Sequence, residues 1–357
     1  QSLEVGAAYL ACFRRLFVGV GSGDLVSIAL STANSRQAVA AALVRLGNYT
    51  GALRTVEVGV ADLGEYEAVH EGPMGMMGSG LRKVALQKIR GDALRRLGRP
   101  DESLAVYRGL LDAIELGTVS APFGAEDDSQ GMRLDLSNDI GAVLHDMGNY
   151  EQALASSKRA LELCDRVRNG DSKRARIRGN MGNMLKGMGR FKEAMDSYEQ
   201  ALQILRSART RNMESEGRVL MNMANLSFQR PGMLDDAEAA KMYREAGALA
   251  RSNNDLYMLA RASSALGFLE KSRGRFAAAE TLFHESMSAF ERIQDGVKDD
   301  DELLLSVFEH MQIGPYIGMM VLLRETGRAE EAVLMGDSSK SRALSKLLCG
   351  RRRGRLE

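Results

Sequence analysis

The chain has 357 residues, 45% apolar and 27% charged, a composition that excludes a disordered or collagenous protein and is ample for a sizeable core. Lys and Arg number 48 against 47 Asp and Glu, for a net charge of +1, so no global field draws it to nucleic acid or to an anionic membrane surface. Three widely spaced cysteines, Cys12, Cys164 and Cys349, fit neither a disulfide framework nor a metal cluster, which points to a reducing, cytoplasmic setting.

Residues 1–24 open the chain with a helical apolar stretch over 2–18 that Arg14 and Arg15 interrupt, unlike a secretory signal. It reads as a partial repeat or N-terminal helix, as if cut from a longer array, and its apolar face could stack on a second copy. From 25 to 349 one pattern returns. A turn glycine is followed five residues later by a small residue: Gly47 and Ala52, Gly98 and Ser103, Gly148 and Ala153, Gly189 and Ala194, Gly232 and Ala237, Gly274 and Ala279, Gly327 and Ala332. Seven residues before these glycines stand Ala40, Gly91, Gly141, Gly182, Asn225, Gly267 and Met320. A second small position therefore recurs in most copies, where two helices must approach closely. Turns such as Gly148-Asn149-Tyr150 and Gly189-Arg190-Phe191 stop one helix and start the next. About seven hairpins result, followed by a basic tail at 350–357 that contains Arg351-Arg352-Arg353. The longest uncharged run, His310 to Leu323, has 14 residues, short of the roughly 20 that span a bilayer, so no membrane insertion is expected.

The small residue, the glycine seven later, the aromatic two beyond, the alanine after it, then Tyr198 and Ala201, or Phe283 and Ser286, resemble the tetratricopeptide repeat over about residues 30 to 349. The resemblance implies an all-α, right-handed superhelical solenoid whose first helices line a concave groove. Turn-to-turn spacings of 51, 50, 41, 43, 42 and 53 residues exceed the 34-residue unit. The middle ones imply helices of about 18 residues and resemble the long repeats of the LGN/Pins subclass. The longer intervals read as loops, over Glu71 to Gly80, Gly117 to Gly131 and Asp295 to Glu302. In the fifth copy the second-helix slots shift by two, to Ala239, Tyr243 and Ala246, which implies a longer turn after Pro231.

Within the middle copies Arg176, Asn180 and Asn183 recur 42 residues on as Arg218, Asn222 and Asn225. Offsets of four and seven share one helical face. Arg261 continues the series, with Ala265 and Phe268 in place of the asparagines, and toward the N-terminus Asp92, Asn138 and Asp139 add an acidic element that would make the groove bipolar. Asparagine both donates and accepts, which suits an extended peptide backbone, and arginine selects carboxylates. The subclass resemblance implies that these arginines and asparagines line a peptide channel. The same residues could instead cap or bridge neighbouring helices.

Other motifs carry less. Gly19 to Asp24 lacks the strand that a dinucleotide loop needs, Gly336 to Ser341 lacks the Gly-Lys adjacency of a phosphate loop, and the four histidines have no metal spacing. The methionines at helical spacing read as core filling. The segment Glu330 to Leu348 resembles the helix preceding a CHAT peptidase domain, which would make the chain the recruiting or sensor arm of a larger enzyme, as would a signalling ATPase. The expectation is a non-catalytic scaffold without cofactor or metal, binding an acidic protein or peptide segment through Arg176, Asn180, Asn183, Arg218, Asn222, Asn225 and Arg261.

Overall fold

A computed structural model describes residues 22–46, 48–69, 73–117, 126–167, 170–209, 211–230, 232–296 and 313–336. The expectations for residues 2–18, Gly47, Cys12, Cys349, the basic tail and most of the 330–348 segment lie outside these. Among the described residues all regular structure is helical: α1 (Ser22–Leu46), α2 (Tyr49–Val69), α3 (Pro73–Arg96), α4 (Pro100–Glu115), α5 (Glu126–Asp146), α6 (Tyr150–Glu162), α7 (Gly170–Gly187), α8 (Phe191–Ser207), α9 (Met213–Gln229), α10 (Asp236–Ser252), α11 (Leu256–Ser272), α12 (Phe276–Gly296) and α13 (Ile313–Glu325), with residues 329–336 also helical. The chain divides into two compact units, residues 1–170 and 171–357.

The recurring turn works through backbone geometry. At Gly189 φ is +73°, a left-handed conformation that costs an L-residue energy but glycine little. It lets the Arg190 amide reach back to the Leu185 carbonyl at 2.9 Å, which satisfies carbonyls left open at the end of α7 and stops the helix. Gly98, Gly148, Gly274 and Gly327 repeat this turn. Asn254 does the same between α10 and α11 with φ +52°, where the Asp255 amide bonds the Ala250 carbonyl at 2.8 Å.

The second small position is set by an aromatic ring sixteen residues later. A Cβ at Gly182 would stand 2.4 Å from the Tyr198 ring, one at Gly91 2.5 Å from Tyr107, and one at Gly267 2.8 Å from Phe283. Tyr107, Tyr198 and Phe283 are fully buried; each ring packs against its glycine and holds the two helices of a hairpin at close range. The fifth copy is the exception foreseen. Six residues separate α9 from α10 instead of three, and Ala239, Tyr243 and Ala246 fill the buried slots.

Two of the three long intervals differ from the loops expected. Residues 73–80 form the first turns of the 24-residue α3, and 126–131 those of the 21-residue α5. Proline suits a first helical turn, as at Pro73, and Glu126-Asp127-Asp128 place negative charge where the N-terminal end of the helix dipole favours it. Lengthened first helices, more than loops, therefore extend these repeats. The middle helices run 17 or 18 residues.

Candidate functional site

The first helices α7, α9 and α11 carry the seven partner-binding residues expected from the sequence. Arg176, Asn180 and Asn183 of α7 and Arg218 and Asn222 of α9 line one small cleft, open to solvent. Asn225 and Arg261 are not on its lining.

Hydrogen bonding divides the asparagines into two kinds. The Tyr198 hydroxyl donates to Asn183 Oδ1 at 2.7 Å, and the Tyr243 hydroxyl donates to Asn225 Oδ1 at 2.7 Å. The later asparagine of each pair thus bridges to the second helix through its oxygen, which leaves its amide nitrogen as the group to offer a ligand. Burial pushes both tyrosine hydroxyls above the usual range, so they act as donors. Where the second-helix aromatic has no hydroxyl the partner changes too: Phe283 meets Phe268 edge-on, with centroids 5.1 Å apart. That exchange explains why the polar stripe stops at α11.

Asn222 is half-buried in the cleft and has no hydrogen-bond partner among the described residues. Arg218 is exposed and held loosely on its own helix, 3.2 Å from Ser215 Oγ and 3.7 Å from Glu214. The Arg261 guanidinium stands 5.4 Å from the Tyr257 ring centroid, a cation–π contact rather than an ion pair. The carboxylates of α9 and α11 nearest in sequence are engaged elsewhere. Glu216 is buried against Arg206 at 3.1 Å and Arg211 at 2.9 Å, and Glu270 binds Arg244 at 3.1 Å and also Arg275.

Sequence reasoning missed Lys186, half-buried on α7. It stands three residues beyond Asn183, an offset that keeps it on the same face and that could have identified it. Burial first, and then the nearby Arg261 guanidinium, hold its ammonium below the usual lysine range; both penalise the charged form.

In the first unit, the acidic element is present but neutralised. Asp92 accepts the Tyr107 hydroxyl at 2.7 Å, Lys88 lies 2.8 Å from Asp139 and 3.7 Å from Asp92, and Arg95 lies 2.5 Å from Asp146. Asn138 is buried, with its nitrogen 3.4 Å from Asp139. Among the described residues no His, Cys, Asp and Glu group could hold a metal ion, and no helix is long and apolar enough to cross a membrane.

Stacked helical hairpins interlocked by glycine and an aromatic ring define a helical-repeat protein, an all-α solenoid. Residues 133–207, from α5 to the end of α8, match the family model of the tetratricopeptide repeat, and the fold is of the tetratricopeptide type. The apo quorum sensor NprR from B. thuringiensis is similar with a TM-score of 0.53 at 12% identity, over 94% of this chain and 92% of that one. BtubC from P. vanneervenii gives 0.51 at 17% identity over 69% and 90%. A Rap protein complexed with competence and sporulation factor gives 0.50 at 15% identity over 90% and 78%. At these identities the likeness is one of fold. No curated protein matches the chain.

Proposed function

We propose that this chain is a non-catalytic interaction scaffold that holds an extended acidic segment of a protein partner against α7, α9 and α11. One observation carries the reading: on this face Arg218 has only a 3.7 Å contact to the exposed Glu214, and Arg261 and Lys186 have no carboxylate partner among the described residues, beside Asn222, which has no hydrogen-bond partner among them. Half-buried polar groups are costly to leave unpaired, and an extended chain supplies both carboxylates for the cations and backbone groups for the asparagines. The fold neighbour solved with competence and sporulation factor gives an example of the same scaffold holding a ligand.

A fluorescein-labelled peptide of alternating Glu and Ser, about nine residues long to cross three helices, tests the reading by anisotropy. Wild type should bind it and ignore the Lys-Ser counterpart. A charge-assisted hydrogen bond contributes about 1.5–3 kcal/mol, so Arg218→Ala should weaken binding roughly 10- to 100-fold. A change below about twofold, with the helical circular dichroism intact, would remove Arg218 from the site.

A further inference from the structure

We propose that the second helices α10 and α12 hold an amphipathic helix of a protein partner, with one of its carboxylates seated between Arg244 and Arg275. The site is the groove that α10 and α12 flank and α11 floors, and it does not depend on the peptide reading of α7, α9 and α11.

The turns show where this groove departs from the other repeats. At three of them a glycine and an arginine are followed three residues later by glutamate, and Arg99 forks onto Glu102, Arg190 onto Glu193 and Arg328 onto Glu331. At the turn before α12 that glutamate is replaced by the exposed Ala278. Arg275 turns instead to the buried Glu270 of α11, whose other oxygen takes Arg244 of α10 at 3.1 Å. Two exposed guanidinium groups thus share one carboxylate, and neither has a second among the described residues. A similar sharing at Glu216 is balanced, because Arg206 also reaches Glu245 at 2.5 Å. Each guanidinium carries five donors, so both keep N–H groups for an incoming anion.

Beyond the two arginines the groove is apolar, lined by Gly247, Ala262, Leu266, Ala278 and Leu282. It ends at Arg251, which Glu285 neutralises at 2.6 Å while also accepting from the Ser263 hydroxyl at 2.6 Å. One end therefore has an unmet positive charge, the middle is apolar and the far end is satisfied. From Glu270 back to Ser263 is about 10 Å along α11, two turns of a helix. A partner helix lying between α10 and α12 would bury an apolar stripe of that length and offer one acidic side chain to Arg244 and Arg275.

The probe is a fluorescein-labelled, alanine-based peptide of about 15 residues, long enough to hold a helix, with leucines along one face and a single glutamate at the end of that face. Its twin carries glutamine in place of the glutamate. In anisotropy titrations the full chain should bind the first about tenfold tighter than the second. Ala278→Glu supplies the missing carboxylate from the chain, and Arg244→Gln leaves Glu270 paired with Arg275. Each should erase the preference at wild-type helical circular dichroism, whereas Arg218→Ala, on the first-helix face, should leave it intact. Equal binding of the two peptides, or none, would overturn the proposal, as would a preference that survives in either groove variant or disappears in Arg218→Ala. Sedimentation velocity tests the other occupant: self-association that Ala278→Glu abolishes would put a second copy of this chain in the groove and overturn the partner helix.

Discussion

The two units build the same hairpin lock and give it opposite electrostatics. In each, a buried tyrosine hydroxyl reaches back to the residue following the interlocking glycine: Tyr107 to Asp92 in the first unit, Tyr198 to Asn183 in the second, both at 2.7 Å. In the first unit that residue is a carboxylate, and Lys88 and Arg95 stand among Asp92, Asp139 and Asp146. In the second it is a neutral amide, and Lys186 nearby has no carboxylate partner among the described residues. The packing thus requires an acceptor for the hydroxyl but leaves its charge open, and that choice decides whether a face is self-contained or available to a ligand.

Removing the rings should break both locks. Tyr107→Ala and Tyr198→Ala should each cost about 3–5 kcal/mol, because each leaves a cavity against a glycine that cannot fill it; urea unfolding would measure this, and a loss under about 1 kcal/mol would contradict the interlock. Removing only the hydroxyls sharpens the comparison. Tyr107→Phe gives up a bond to a charged acceptor, about 1.5–3 kcal/mol, and Tyr198→Phe a neutral one, about 0.5–1.5 kcal/mol. Equal losses would mean that the difference in acceptor charge has no weight.

A smaller effect separates the two lysines by pH. Burial opposes the charge of Lys88, but Asp139 and Asp92 outweigh it and raise its folded value; its stabilisation is complete below the unfolded value of about 10.4 and is lost as pH rises through the folded one. Lys186 is depressed instead, so the native state binds fewer protons than the unfolded one between the two values, and stability grows as pH rises through that window. Urea unfolding at about pH 8 and 9.5, below tyrosine ionisation, should show a gain that Lys186→Gln abolishes and Lys88→Gln retains. A gain that persists in Lys186→Gln would place its source elsewhere. Least affected of all should be Arg190→Ala, which removes an exposed fork to Glu193; its melting temperature should not move measurably.

The hairpins were legible because their signals are local and steric. A left-handed turn admits glycine, and a ring pressed on a helix admits no side chain, so both positions repeat visibly at Gly182, Gly189 and Tyr198. The helical starts at Pro73 and Glu126 were not, since glycine and acidic residues resemble loop composition until the helix end they occupy is known. The face of α7 and α9 was found by offsets of four and seven, but spacing could not show that Asn183 and Asn225 are half-committed to tyrosines fifteen and eighteen residues on. Lys186 was overlooked because a single lysine at a helix end reads as solvated surface; only its neighbour on another helix, Arg261, sets it apart.

The most direct measurement of the central claim is a charge inversion on the unchanged scaffold. With Arg218→Glu and Arg261→Glu combined, anisotropy titrations should show the Glu-Ser peptide lost and the Lys-Ser peptide gained, at wild-type helicity. Retention of the Glu-Ser peptide by the inverted protein, or equal binding of both peptides by wild type, would contradict the account.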